Sequence, residues 1–152
     1  MKAVTYFAAF TLGASALVST AFSKELEGWS PDLEKALAQA KKEKKQVLVE
    51  FTGSDWCPPC IAMRKNVFSK KEFVDAASKD YVLVELDFPN GDEALKKKNE
   101  PYAQKYKIEG FPTVILMDPE GKEFTRFFAS EYPKTDAFLK HLKDSLEKKD
   151  QV

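Results

Sequence analysis

Two cysteines separated by two prolines, Cys57-Pro58-Pro59-Cys60, are the residues best suited to chemistry, and they are the chain's only cysteines. Two thiols three residues apart at a helix start bring their Cα atoms to roughly 5 to 6 Å, a span that a disulfide tolerates. The pair therefore supports a reversible dithiol/disulfide couple. The reacting form is a thiolate, and a helix start lowers the thiol pKa from about 8.5, because unpaired N–H groups and the positive end of the helix dipole face the sulfur. Cys57, at the open end, is read as the attacking nucleophile and Cys60 as the resolving thiol. Pro58 and Pro59 carry no N–H, so two donors that would face the sulfur are missing. Proline also pushes its predecessor out of the α region, a restraint expected to delay the helix to Pro59 or Cys60. A structural staple gains little from so short a closed loop. Zinc asks for four ligands, which two cysteines and one distant histidine, His141, cannot supply without a second chain. No metal and no cofactor is expected.

The elements around the pair must hold it at a helix mouth. Gln46 to Thr52 is apolar on both alternating faces near its middle, the pattern of a central strand covered on either side, and Gly53-Ser54-Asp55-Trp56 turns the chain into the cysteine pair. Upstream, Ser30-Pro31-Asp32 predicts a helix with Ser30 as cap and Pro31 at its first position, followed by Leu33, Ala36, Leu37 and Ala40 at helical spacing. Downstream, the reactive helix is expected to run from around Cys60 to about Asn66, and Ser69-Lys70-Lys71-Glu72 reads as a capping box before a short helix carrying Phe73, Ala76 and Ala77. Tyr81 to Phe88 reads as a second strand. Asp92 to Tyr106 is a helical candidate that Pro101 must kink or split, with the Lys96-Lys97-Lys98 run on its solvated face. Phe111 to Met117 is a third strand, Asp118-Pro119-Glu120-Gly121 a tight turn, and Lys122 to Phe128 a hairpin partner. A last helix from about Lys134 places Phe138, Leu139, Leu142 and Leu146 on one side and frays beyond Glu147. This order restricts the fold to α/β, with a mixed sheet and helices on both faces.

At 152 residues, 43% of them hydrophobic, the chain is read as one domain. Its 24 Lys and Arg balance 24 Asp and Glu, so no strong field points to nucleic acid. Residues 1–21 read as a signal peptide: Lys2 precedes an uncharged stretch, and cleavage is expected near 21–23, at Ser19-Thr20-Ala21 or Ala21-Phe22-Ser23. An uncleaved anchor is the alternative, since the stretch is near the roughly 20 residues that span a bilayer. Residues 24–150 form the domain proper. Export implies a periplasmic or secreted protein, in a compartment where disulfides persist.

The pairing of Trp56-Cys57-x-x-Cys60 with Gly110-Phe111-Pro112-Thr113 resembles the thioredoxin superfamily. Phe51-Thr52-Gly53-Ser54-Asp55-Trp56-Cys57 and Asp87-Phe88-Pro89 are more closely similar to its exported bacterial thioredoxin-like members. The resemblance covers roughly Pro31 to Lys148 and implies a thioredoxin fold. It implies that Glu50, in the strand before the site, is a buried carboxylate relaying a proton to Cys60; a strand-end Glu reaching solvent is the alternative. The lysine partner of that relay has no match, the second strand offering Leu83 and Glu85 there. Pro112 matches the family's cis-proline, which stands beside the dithiol and exposes the backbone of Phe111 for strand-like pairing with substrate. Trp56 is expected to cap the thiols, or else to pack under the loop, while the side chains of Phe111, Phe127, Phe128 and Tyr132 are expected in the core. In strongly oxidising relatives a histidine between the cysteines stabilises the reduced thiolate, so its absence implies a more reducing potential. The expected function is that of a monomeric thiol-disulfide oxidoreductase that reduces or exchanges protein disulfides, recharged by a membrane or soluble thiol donor. A redox-switched peptide-binding module or chaperone is the alternative.

Overall fold

A computed structural model describes residues 25–151; the expected signal peptide and its cleavage lie outside them. Four strands form one sheet in the order β2-β1-β3-β4: β1 (Gln46–Thr52), β2 (Tyr81–Asp87), β3 (Thr113–Met117) and β4 (Glu123–Phe128). β1 is central, parallel to β2 and antiparallel to β3, and β3 and β4 make the expected hairpin. Helices α1 (Leu33–Glu43), α2 (Pro58–Met63), α3 (Lys71–Ala77), α4 (Glu93–Lys105) and α5 (Thr135–Lys149) cover both faces, and α2 runs on through a π-helical turn at Arg64–Phe68.

Alternation along the strands decides which side chains meet which helices. Val47, Val49 and Phe51 of β1 join Val82, Val84 and Leu86 of β2 and Ile115 and Met117 of β3 under Leu33, Ala36 and Ala40 of α1, Tyr102 of α4 and Tyr106 just after it. Leu48, Leu83, Val114 and Leu116 face the other way, against Met63, Val67 and Phe68 of the reactive helix, Phe73 of α3, and Phe138 and Leu142 of α5. Phe68, Phe73 and Phe138 meet edge to face with ring centroids 5.2 to 5.5 Å apart, geometry worth about 0.5–1.5 kcal/mol per pair beyond burial. Glu50 lies two residues after Leu48 and so shares the face covered by the reactive helix. Among the described residues, no helix is long and apolar enough to cross a membrane.

Several boundaries differ from the sequence reading. Asp32, not Ser30, caps α1, its Oδ1 accepting from the Lys35 N–H at 3.1 Å. Ser30 instead extends the sheet: its N–H donates to the Leu83 carbonyl and its carbonyl accepts from the Glu85 N–H. The capping box before α3 does not form, because Ser69 closes the π turn and Lys70 becomes the cap without a side-chain bond. Pro101 neither ends nor splits α4, which runs unbroken from an Asp92 cap to Lys105. β3 begins at Thr113, two residues after Phe111, and α5 stays helical to Lys149. Phe127 and Tyr132 pack against the core as expected, but Phe128 lies exposed on β4 over Gly110.

Candidate functional site

Cys57 is the N-cap of α2, in extended conformation, and Pro58 and Pro59 are its first two helical residues. The helix thus begins earlier than the proline argument predicted. The restraint that each proline places on its predecessor is spent on Cys57, whose cap conformation is already non-helical. The two cysteines are joined in a disulfide with Cα atoms 5.2 Å apart, within the span expected from their spacing. Cys57 keeps 4% of its surface exposed and Cys60 none, so an incoming group reaches Cys57 first.

The donors near the sulfurs are few. Pro58 and Pro59 have none, the Cys57 N–H is used by the Gly53 carbonyl, and the Ile61 N–H is used by the Cys57 carbonyl. The Gly53 N–H points at Cys60 Sγ, 3.5 Å away. The helix mouth therefore offers a Cys57 thiolate little beyond the Cys60 amide.

The loop before Cys57 is clamped to the end of β2 by side chains that sequence reasoning did not select. Asp87 accepts from the Ser54 N–H at 2.9 Å and the Ser54 hydroxyl at 2.5 Å. Asp55 accepts from the N–H groups of Asn90 and Gly91, bonds that hold its carboxyl below the usual range. Buried Asn99 of α4 ties the Asp87 carbonyl in turn. The sequence signals were Gly53-Ser54-Asp55-Trp56 and Asp87-Phe88-Pro89, noted for a turn and for resemblance and not for chemistry.

Trp56 is 43% exposed, with its ring folded over Gly53 and its Nε1 donating to the Phe88 carbonyl at 2.8 Å. It stands edge-on to Phe111, which also packs on Phe88. The Phe111–Pro112 peptide is cis, and Pro112 is buried, its carbonyl accepting from the Ala129 N–H. Among the described residues, no hydrogen bond engages the Phe111 backbone.

Glu50 is 1% exposed, so it does not reach solvent. Burial, reinforced by the charge of Glu85, raises its pKa well above the carboxylate range and favours the neutral acid. Its Oε1 has no hydrogen-bond partner. Glu85 is its cross-strand neighbour and is ion-paired with Arg64, a residue the sequence reading passed over. His141, on α5, packs against Tyr132 and Phe127.

The thioredoxin-like family model matches residues 28–119, more than half of the chain and all of the site described here. The chain belongs to the thioredoxin-like family. Disulfide bond reductase DsbH of Chlamydia pneumoniae is 37% identical over 94 residues, covering 60% of this chain and 57% of that protein. A thiol:disulfide interchange protein DsbD of Pseudoalteromonas atlantica is 30% identical over 115 residues, covering 76% of this chain and only 18% of the relative. The solved structure of a DsbH oxidoreductase superposes with a TM-score of 0.72 at 29% identity, over 90% of this chain and 95% of that one. The mixed four-stranded sheet and its helices are thus the thioredoxin fold expected from the sequence. The match spans little more than half of the DsbH sequence and under a fifth of DsbD.

Proposed function

We propose that this thioredoxin-like protein is a thiol-disulfide oxidoreductase that reduces or exchanges protein disulfides outside the cytoplasm. The observation that carries the reading is the Cys57–Cys60 disulfide at the mouth of α2, with Cys57 as cap and Cys60 fully buried behind it. In the reduced protein the Cys57 thiolate attacks one sulfur of a substrate disulfide. A Cys57–substrate disulfide forms, the substrate S–S bond breaks, and one substrate thiolate leaves. Cys60 then gives its proton to Glu50 and attacks Cys57 Sγ. The Cys57–Cys60 bond closes, the second substrate thiolate departs, and two electrons have passed to the substrate.

The scarcity of N–H donors around Cys57 supports the reducing direction. A poorly stabilised thiolate makes the reduced form less favoured, and the protein gives up its electrons more readily. The DsbH relative is a disulfide bond reductase, which agrees with that direction. Trp56 and the unengaged backbone of Phe111 are read as the surface where an extended substrate segment docks, and a membrane or soluble thiol donor as the source of electrons.

Insulin reduction with dithiothreitol tests the proposal. Activity lost in Cys57→Ser supports it, as do mixed disulfides accumulating on Cys57 in Cys60→Ala. Exposed Trp56, Ile61 and Phe128 favour the second reading, a peptide-binding module. Aggregation suppression that survives Cys57→Ser, in a wild-type protein without reductase turnover, would select that reading.

A further inference from the structure

Glu50 and Glu85 are partners in the parallel β1–β2 register, so their side chains leave the same face of the sheet from backbones about 5 Å apart. That face is covered by the helix carrying Cys60. Arg64 lies one helical turn beyond Cys60, with its N–H on the Cys60 carbonyl, and its guanidinium reaches down to the Glu85 carboxylate. Two carboxyls and one guanidinium thus gather between the sheet and the helix that carries the resolving cysteine. Arg64 can balance one negative charge but not two.

The two acids are not equivalent. Glu50 is sealed and has an oxygen without a partner, so burial favours its neutral form. Glu85 has a side chain 11% exposed and borders a cleft of about 220 Å³ shared with Glu25, Asp87, Asp92 and Lys98. Burial pushes Glu85 up to about 7, against the pull of Arg64 and with the push of Asp87 and Glu25; a Leu26 N–H also favours its charged form. Glu50 feels burial first, then the charge of Glu85, the opposing charge of Arg64, the charge of Asp87, and last a small opposing pull from the Thr52 hydroxyl. Asp87 cannot take over either role, because Ser54 occupies both of its oxygens.

We propose that Glu85 is a positioning residue for proton transfer at Cys60: paired with Arg64, in the oxidised protein it takes the single negative charge of the buried carboxyl pair and leaves the proton on Glu50. The inference rests on the reading of Glu50 as the proton partner of Cys60. During resolution the Cys60 proton moves to the Glu50 carboxylate as the Cys57–Cys60 bond forms and the substrate thiolate leaves. During recharging a donor thiolate bonds to Cys57, Cys60 leaves as a thiolate, and the same proton returns from Glu50. Glu85 sets how tightly Glu50 holds that proton between the two steps.

The test is a pH titration of the glutamate side-chain ¹³C resonances in the oxidised full chain, alongside the pH–rate profile of insulin reduction. In Glu85→Gln the Glu50 transition falls by on the order of one pH unit, and the acidic limb of the rate profile moves down with it. An unmoved Glu50 transition overturns the proposal, and so does a moved transition with an unmoved rate profile. Glu50→Gln supplies a readout that does not need the first variant to fold. A neutral amide there replaces a neutral acid, so Glu85 titrates where it does in the wild type. A downward move of Glu85 means that the charge sat on Glu50 and overturns the assignment. If Glu50→Gln keeps the wild-type rate and pH profile, the reading of Glu50 itself fails. If Glu50→Gln alters that profile and Glu85→Gln does not, only the role of Glu85 fails.

Discussion

Glu85→Gln also has a stability signature whose size follows from the fold. Glu85 titrates near 4.5 in an unfolded chain and at about 7 in the folded protein, chiefly because it is buried between β2 and the reactive helix. A folded-state pKa raised in this way favours the native state while the acid is protonated. That contribution is complete below the unfolded pKa and is lost as pH climbs through the folded one. The rise from 4.5 to about 7 corresponds to about 3 kcal/mol, an upper bound because the side chain keeps some contact with water. Glutamine does not titrate, so the variant lacks this loss. The attraction of Arg64 is already contained in the folded value and adds no separate slope, whereas any packing cost of the substitution acts as an offset. Urea unfolding of the oxidised proteins at intervals from pH 4 to pH 8 separates the two. The stability of the variant relative to the wild type should climb with pH, by at most about 1.4 kcal/mol per pH unit, and level off above pH 7. Parallel curves, with m-values unchanged, would show that Glu85 is not buried as described and would remove the structural basis for its role.

Other perturbations probe the clamp and the dithiol. In Gly53→Ala the new methyl would lie 2.5 Å from Trp56 Cε2, so the indole must leave the Phe88 carbonyl; a red-shifted tryptophan emission and a loss of about 1–3 kcal/mol should follow, and an unchanged spectrum would deny the packing. Asp87→Ala removes both bonds to Ser54 and should cost about 2 kcal/mol or more, with faster hydrogen exchange at the Ser54 amide as the local readout. Tyr81→Phe deletes the buried bond from the tyrosine hydroxyl to the Leu142 carbonyl and should lower stability by about 1 kcal/mol, measured by urea unfolding. The Cys57–Cys60 couple, equilibrated against glutathione, should lie on the reducing side of the roughly −270 to −120 mV span set by thioredoxin and the strongest periplasmic oxidant. A value more oxidising than about −150 mV would contradict the reading of the donor-depleted helix mouth.

The sequence made the chemistry and the strand order legible, because both are carried by local patterns. Cys57 and Cys60 declare themselves by spacing, β1 by an apolar run covered on both faces, and the β3–β4 hairpin by Asp118-Pro119-Glu120-Gly121. Helix starts were less legible, since several polar residues compete for one cap. Ser30 and Asp32 can both satisfy an open N–H, and only the pairing of Ser30 with β2 leaves the cap to Asp32. Pro101 illustrates the same limit in reverse, as its missing donor was expected to kink or split a helix that runs unsplit through it, with Tyr102 and Ala103 packed against the core.

The charged neighbourhood of Glu50 was illegible for a different reason. Arg64 reads as one more basic residue on a short helix, and Glu85 as a polar interruption in an apolar strand. Neither has a sequence pattern that names the other, 21 residues away. Their meeting depends on the parallel register that sets Glu85 beside Glu50 and on the helical turn that carries Arg64 from Cys60 to the sheet. Such a site is assembled from two elements with separate periodicities, and only their mutual position gives it a charge balance. A buried carboxylate in the strand before the dithiol could be anticipated from the sequence, but the Arg64–Glu85 ion pair beside it could not.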